Sequence, residues 1–314
     1  MSNLDPEPSE EVGADPVAAA TILSPRDVPL GGPRAMNVRR TLPQRSRSLI
    51  GAWCFVDHYG PDLVAERGGM VVPPHPHTGL QTVSWLFAGE VEHRDSVGSR
   101  AMVRPGELNL MTAGHGISHS EVSTDATVTL HGAQLWIALP NAARDTAPFF
   151  EHFVPTPVTF EGATVSVFLG SLVGSTSTAR TFSPVVGAQL DIPAGATIEL
   201  PVDASFEHGV LLDAGSLTVD GSTVAPSELL YLPPGASSIT LTAGMDAVRA
   251  VLIGGAPFGE RIIMWWNFIG RTHDEIAAYR SDWASSTERF GVVDYPGSAL
   301  PAPELPAVRL KLRR

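Results

Sequence analysis

Alternating apolar and polar residues dominate the chain from about residue 80 onward. This period of two predicts β-strands, because successive side chains of a strand point to opposite faces. Gly and Pro interrupt the pattern at intervals of roughly 8–12 residues, as is typical of a β-sandwich or barrel. The segments fall in two blocks, QTVSWLFAGEVEHRDS, ELNLMTAG and TLHGAQLWIAL in the first, and ATVSVFLG, AQLDIPAGATIELPV, HGVLLDAGSLTVDG, ELLYLPPG, SSITLTA and AVRAVLIG in the second.

The two blocks also resemble each other. FAGEVEHRDSVGSRAMVRPGELNLMTAG in the first parallels DAGSLTVDGSTVAPSELLYLPPG in the second. Each has a turn of small residues, a pair of strands, a turn that reads PGEL or PSEL, and a return strand. We therefore predict that the chain is an internal duplication of one β-barrel.

The two ends of the chain lack this pattern. Residues 1–28 carry five acidic residues before the first basic one, Arg26, which predicts a disordered acidic tail. Near the other end, THDEIAAYRSDWASS has Thr272 as a candidate N-cap and places Asp274 and Glu275 in the first turn. These residues predict a helix, which we expect to pack onto a barrel.

Composition limits the kinds of function. Of the 314 residues, 43% are hydrophobic and 17% are charged, with 30 Gly and 27 Pro, which argues against a coiled coil. A net charge of −12 argues against direct nucleic-acid binding, since phosphate contacts need clustered Lys and Arg. No apolar run approaches the roughly 18 residues that span a bilayer, and the first residues are unlike a secretion signal, so we expect a cytoplasmic protein without membrane contact. The single cysteine, Cys54, excludes an internal disulfide.

The histidines are concentrated in the first block. Seven of the ten lie within residues 58–131, where PPHPHTG is followed by GHGISHSE. His75 and His77 are two residues apart, as are His119 and Glu121, so each pair projects from one face of a strand. Two such strands facing each other inside a barrel would bring three imidazoles and one carboxylate together. That ligand set suits a divalent first-row transition metal.

These motifs lie in segments that resemble the pirin family of the cupin superfamily. In chain order the segments are FVDHYGP, HPHTGLQTVSWLFAGEVEHRDSVGS, PGELNLMTAGHGISHSE, GAQLWIALP, GSLTVDG and PFGERIIMWWNFIG, followed by the closing helix. The resemblance covers roughly residues 30–290. It implies an all-β fold of two tandem cupin domains, which are double-stranded β-helix or jelly-roll barrels, with a C-terminal helix.

The resemblance also implies a division of the chain and one metal site. We expect a tail, a metal-binding N-terminal cupin, a C-terminal cupin without metal and a helical segment, at residues 1–28, 29–150, 151–260 and 261–314. The second block offers only His208 near the equivalent hairpin, with no His-x-His pair. Fe(II) is the expected metal, with Mn, Ni, Co, Cu or Zn as alternatives. The implied ligands are His75, His77, His119 and Glu121.

Two residues near the motifs depart from the general cupin pattern. Gln81 stands where that pattern has a glutamate, so that Glu121 supplies the carboxylate instead. His115 lies in the loop TAGHGISH, and two interpretations of it are open. It either contacts a ligand histidine or the substrate, or it is a loop residue at the rim of the pocket.

Charged residues elsewhere in the first block predict structural roles. His93, Arg94 and Asp95 lie together at a strand end, where we expect a charge-assisted cluster that fixes the hairpin. Asp57 and His58, in FVDHYGP, predict a turn held by side-chain hydrogen bonds.

The family resemblance leads to two hypotheses about function. Pirins resemble quercetin 2,3-dioxygenases, which implies a metal-dependent dioxygenase that takes a flavonol-like aromatic substrate and O2. Glu121 would then also be the base that takes the proton of the substrate 3-hydroxyl. The alternative is a non-enzymatic, iron-binding and redox-responsive regulator with a protein partner, and the net charge of −12 suits a basic partner.

Overall fold

Strands account for most of the structure, a computed structural model that describes residues 19–30 and 36–312. In chain order the strands of the first half are β1 (Thr21–Leu23), β2 (Arg26–Leu30), β3 (Met36–Leu42), β4 (Trp53–Leu63), β5 (Val71–His77), β6 (Leu80–Ala88), β7 (Val91–Asp95), β8 (Arg100–Val103), β9 (Leu108–Thr112), β10 (Ile117–Ser123), β11 (Thr129–Ala138) and β12 (Phe149–Phe153). Those of the second half are β13 (Val158–Phe160), β14 (Ala163–Leu169), β15 (Ser171–Leu172), β16 (Ser175–Thr176), β17 (Val185–Ile192), β18 (Thr197–Pro201), β19 (Glu207–Ala214), β20 (Leu217–Val219), β21 (Ser222–Val224), β22 (Leu229–Leu232), β23 (Ser238–Ala243) and β24 (Val248–Gly255).

Helices are short and few among the described residues. The chain ends in a hairpin, a helix and a 3-10 turn, namely β25 (Ile263–Trp265), β26 (Phe268–Gly270), α2 (His273–Ala284) and Glu288–Phe290. One further helical turn, α1 (Val64–Arg67), follows β4. None of the helices in the described part of the chain is long and apolar enough to cross a membrane.

The two halves have the same sheet topology. In the first, strands pair in the orders β12-β9-β6-β11-β4-β3-β2 and β5-β10-β7-β8. In the second, the orders are β1-β22-β19-β24-β17-β14-β13 and β18-β23-β20-β21. The eight strands from β4 to β11 therefore correspond one by one to those from β17 to β24. This confirms the predicted all-β duplication, with each unit a pair of facing sheets rather than a closed barrel.

The residues before the first unit correct the predicted tail. Residues 1–18 lie outside the described part of the chain, but β1 and β2 are ordered strands. β1 pairs with β22 at the edge of the second unit, and β2 pairs with β3 at the edge of the first. Sheet edges supply backbone partners, so residues 21–23 and 26–28 form strands within the predicted tail.

The predicted boundary near residue 150 falls inside a strand. β12 covers residues on both sides of it and pairs with β9 in the first unit. The segment that follows crosses to the second unit, whose first strand is β13. The second unit therefore begins a few residues later than the sequence indicates.

The interface between the units is a continuous apolar core. One cluster of buried residues joins Trp53, Val83 and Trp85 of the first unit to Phe168 and Val251 of the second. The indole N–H groups of Trp53 and Trp85 donate across the interface to Gly254 O and Gln189 Oε1, at 3.0 and 2.8 Å. An unpaired buried indole donor costs free energy, so these two hydrogen bonds favour the contact between the units.

The closing helix has the predicted capping signal. The Thr272 side chain accepts from the Glu275 backbone N–H, and the Glu275 carboxylate accepts in turn from the Thr272 backbone N–H. Ile276 and Tyr279 pack against the hairpin of β25 and β26. The helix thus holds the C-terminal segment in place beside the first unit.

Candidate metal centre

β5 and β10 place three histidines on one inner face. His75 and His77 are two residues apart on β5, and His119 on β10 is the antiparallel partner of His75. Ring centroids are 4.4 Å apart for His75 and His119, and 5.0 Å for each of the other two pairs. The Nε2 atoms of His77 and His119 are 3.1 Å apart. Strand alternation and cross-strand register therefore bring together the three imidazoles that the spacing indicates.

Burial determines the charge of these rings. Each is fully shielded from solvent. Desolvation is the largest effect on each, and it lowers the pKa of His75, His77 and His119 well below the ordinary value of 6.5. A neutral imidazole carries one nitrogen lone pair, which is what a metal requires.

The hydrogen-bonding state of the ring nitrogens indicates that the three histidines fit a metal ion. Pro73 O lies 2.9 Å from Nδ1 of His75, so this nitrogen donates and Nε2 keeps the lone pair. Nε2 of His75 is buried and has no hydrogen-bond partner among the described residues. A buried nitrogen without a partner is costly, and a divalent cation coordinated by the three rings would satisfy it.

Glu121 lies beside the histidines but not equally close to all of them. A bulge in the pairing of β5 with β10 falls between His119 and Glu121 and changes the direction of the second side chain. A Glu121 oxygen lies within 4.8 Å of ligand atoms of His93 and His119, whereas the group formed by the three histidines does not include it. Ser84 Oγ donates to Glu121 Oε1 at 3.0 Å. Glu121 as a fourth ligand stays a prediction.

Gln81 faces away from the three histidines. Its amide donates to Thr112 Oγ1 at 2.8 Å and to the carbonyl of Arg180, in the second unit, at 2.9 Å. Val83 and Trp85 lie on the same face of β6 and belong to the core shared by the two units. The strand position where the general cupin pattern has a glutamate therefore lies at the interface here.

The role of His115, as a contact to a ligand histidine or the substrate or as a loop residue at the rim, stays a prediction. Its side chain is exposed, and its carbonyl accepts from Arg289 Nη1 at 2.9 Å. The neighbouring Gly114 and Gly116 pass so close to Thr146 and Arg289 that a Cβ would not fit. The tight loop that results directs His115 outward.

The C-terminal segment covers the mouth of the first unit. The Phe290 carbonyl accepts from Ser118 Oγ at 2.8 Å, and the Leu300 backbone N–H donates to the Pro74 carbonyl at 2.8 Å. Ser118 and Pro74 are direct sequence neighbours of the site histidines. The C-terminal segment thus lies against both strands that carry these rings.

The expected cluster of His93, Arg94 and Asp95 is formed in part. Nε2 of His93 lies 3.1 Å from Oδ2 of Asp95, whose Oδ1 accepts from the Ser99 backbone N–H at 2.9 Å. Burial alone would raise the pKa of Asp95, but the hydrogen bonds from His93 and Ser99 outweigh it and lower the pKa. Arg94 pairs with Glu92 instead.

A second histidine cluster lies between the units. Nε2 of His58 and Nε2 of His131 each lie 2.6 Å from Oδ1 of Asp213. The turn predicted at Asp57 and His58 is wrong, because both are buried on β4. The sequence carries no signal for this cluster, since Asp213 is 155 residues from His58.

The second unit has aliphatic side chains where the first has histidines. β18 and β23, the counterparts of β5 and β10, turn Ile198, Leu200, Ile239 and Leu241 into the core. His208 is buried on β19, and its Nε2 has no hydrogen-bond partner among the residues that the structure describes.

Comparison with known proteins matches the same two units. The family model for pirin matches residues 35–137, and that for the pirin C-terminal cupin domain matches residues 187–291. A Pseudomonas aeruginosa protein, whose name assigns it provisionally as a quercetin 2,3-dioxygenase, is 44% identical over 90% of each chain. A pirin-like protein of Caulobacter vibrioides is 33% identical over 85% of this chain and 94% of its own.

The match to solved structures confirms the fold of two tandem cupin domains. The crystal structure of a quercetin 2,3-dioxygenase from Acinetobacter baumannii superposes with a TM-score of 0.88 at 38% sequence identity. The superposition covers 93% of this chain and 98% of that one.

Proposed function

Because this chain belongs to the pirin family, we propose that it is a metal-dependent dioxygenase that opens a flavonol-like ring in the manner of quercetin 2,3-dioxygenase. The observation that carries this proposal is the convergence of three buried, neutral imidazoles, from His75, His77 and His119. Nitrogen ligands with an adjacent carboxylate favour a first-row transition metal, and we propose Fe(II).

The residues around this centre have separate roles in the proposed reaction. A ferrous ion held there would supply a redox-active centre with open positions for the substrate oxygen and dioxygen. His75, His77 and His119 hold and orient it, and their burial excludes bulk water. Glu121 takes the proton of the substrate 3-hydroxyl, with its carboxylate oriented by the hydrogen bond from Ser84. Both atoms of O2 enter the opened product, and one ring carbon leaves as carbon monoxide.

One observation favours the alternative of an iron-binding regulator. The three histidines have no exposed surface, and the C-terminal segment covers them through Ser118 and Pro74. A flavonol can reach the centre only if part of the surrounding structure moves. A regulator that responds to the oxidation state of bound iron needs no such opening.

Oxygen uptake distinguishes the two functions. Protein reconstituted anaerobically with Fe(II) is mixed with quercetin and oxygen, and uptake is measured together with release of carbon monoxide. His119→Ala removes one proposed ligand, and His208→Ala is the control at a buried histidine of the second domain. Uptake that needs quercetin and is lost only in His119→Ala supports the dioxygenase. Bound iron without uptake supports the regulator.

A further inference from the structure

The ring of His119 is held differently from that of His75. A backbone carbonyl accepts from Nδ1 of His75, but Nδ1 of His119 lies 3.3 Å from Nδ1 of a further imidazole, His93. Nε2 of His93 lies 3.1 Å from Oδ2 of Asp95. We propose that Asp95 and His93 position His119 for metal binding by fixing which of its two nitrogens carries the proton. This inference rests on the metal centre of the proposed function.

The direction of each hydrogen bond follows from Asp95. The backbone N–H groups of Val97 and Ser99 donate to Oδ1, at 3.0 and 2.9 Å, so the carboxylate accepts at both oxygens. Nε2 of His93 must therefore donate to Oδ2. A neutral imidazole has one donor and one acceptor nitrogen, so Nδ1 of His93 accepts. His119 then donates from Nδ1.

The proton on Nδ1 determines which nitrogen of His119 can bind a metal. With its proton on Nδ1, His119 keeps the Nε2 lone pair, which faces His77 across 3.1 Å. The same proton on Nε2 would block coordination at that nitrogen. Hydrogen bonds to the outer nitrogen of a ligand histidine fix the tautomer and orient the ring in this way.

The sheet holds these groups rigidly. β10 lies between β5 and β7, so that His119 is opposite Asp95 and Glu121 is opposite His93. The His93 ring stacks on Phe150, with centroids 4.7 Å apart and an angle of 26° between the planes. His93 and Asp95 are only 2% and 4% exposed, so water does not compete for their hydrogen bonds. They are positioning residues, since they act through His119.

The test compares two substitutions of nearly equal shape at residue 93. His93→Leu removes the acceptor for His119 Nδ1, whereas His93→Asn keeps an oxygen close to the position of the original nitrogen. Cobalt(II) is titrated into each metal-free protein, and its d–d absorption reports affinity and coordination. We expect His93→Leu to weaken cobalt binding by about 10–100-fold and His93→Asn to bind within a few fold of the wild type. In wild-type protein labelled with 15N-histidine, long-range 1H–15N spectra should show His119 protonated at Nδ1.

Three results would overturn the proposal. One is cobalt affinity in His93→Leu equal to that of the wild type. Another is an equal loss in both variants, as expected if His93 packs the site or itself binds metal with His119 and Glu121, a group within 4.8 Å. The third is a His119 proton on Nε2 in the metal-free protein. Failure of the metal centre itself looks different, because the wild type would then bind no cobalt.

Discussion

Two clusters of buried histidines lie in the first cupin domain, one on its inner face and one at its contact with the second domain. Each brings three ligand atoms within 4.8 Å of one another, so residue type and proximity make both of them metal-capable. The members are His75, His77 and His119 in the first cluster and His58, His131 and Asp213 in the second. The clusters differ in what lies beside Nδ1, the ring nitrogen that points away from the centre of the cluster.

The outer partners of His75 and His58 are of opposite kinds. The Pro73 carbonyl accepts from Nδ1 of His75, which leaves the Nε2 lone pair for a metal. Nδ1 of His58 lies 3.1 Å from Nη2 of Arg39. A guanidinium only donates, so Nδ1 of His58 accepts and its proton lies on Nε2, directed at Asp213.

His131 repeats the arrangement of His58. Its Nδ1 lies 3.5 Å from Nη2 of Arg249, and its Nε2 lies 2.6 Å from Asp213. Arg249 Nε also donates to Asp213, at 2.6 Å. Hydrogen bonds from His58 and Arg249 thus hold one buried carboxylate, the His131 ring lies in close contact with it, and the group joins strands of both domains. The second cluster is a hydrogen-bonded latch between domains, and we infer that the partner of the outer nitrogen distinguishes such a latch from a metal site.

The largest expected effect is the loss of metal from one cluster alone. His119→Ala should lower bound metal from about one per chain to almost none, because two imidazoles remain. His131→Ala should keep about one metal per chain, since His131 contacts Asp213 and Arg249 in the other cluster and none of the three site histidines. Metal content after Fe(II) or Co(II) loading and dialysis, measured by mass spectrometry, checks both variants. Two metals per wild-type chain would contradict the distinction between the clusters.

The latch should contribute strongly to stability. In Asp213→Asn, an N–H donor replaces an acceptor and faces either Arg249 or the two imidazoles. Breaking a buried ion pair costs about 3–5 kcal/mol, and we expect a value near 3 because Arg249 is 30% exposed. Urea unfolding at pH 7 measures the loss, with the exposed substitution Asp246→Asn as control. A loss no larger than that of the control would show that the latch does not hold the domains.

The fold could be predicted from the sequence where the signals are local. Strand alternation, Gly and Pro punctuation and the Thr272 cap each depend on a few neighbouring residues, and all correspond to observed elements. β1 and β2 have no such pattern, and they form because sheet edges distant in sequence accept them. That these two segments form strands could not be predicted from residues 21–28 alone.

In the candidate site, too, the features set by local spacing could be predicted and those set by distant contacts could not. His75, His77 and His119 could be predicted to meet, because strand spacing alone gives the shared face. The role of His93 depends on which nitrogen meets His119, and that requires the sheet register. The latch depends on contacts between His58 and Asp213, 155 residues apart. The direction of these hydrogen bonds distinguishes the clusters, and it depends on contacts between residues that are distant in sequence.

His208, a buried histidine outside both clusters, shows the effect of burial on the pKa of an imidazole. Burial lowers the pKa of His208 to about 4, with Asp203 opposing the shift. As the pH falls from 6.5 towards 4, the unfolded chain takes up a proton that the folded chain excludes, so the free energy of unfolding decreases, by about 3 kcal/mol in total. His208→Asn cannot titrate, so urea unfolding at pH 7 and pH 4.5 should show a decrease smaller by about 2–3 kcal/mol. His115→Asn, at an exposed histidine, is the control and should keep the wild-type decrease.

The smallest expected effect concerns how the carboxylate of each cluster is held. Asp213 is held by a guanidinium, but Glu121 accepts from the Ser84 hydroxyl, which also lies 2.9 Å from Gln134 Oε1. One hydroxyl proton cannot serve two acceptors, and a flipped Gln134 amide that donates to Ser84 removes this conflict. Ser84→Ala should therefore weaken metal binding only a few fold, as measured by cobalt titration, since one hydrogen bond contributes about 1 kcal/mol. Ser84→Thr keeps the hydroxyl and should bind cobalt with the affinity of the wild type. If both variants bind like the wild type, Ser84 does not orient Glu121.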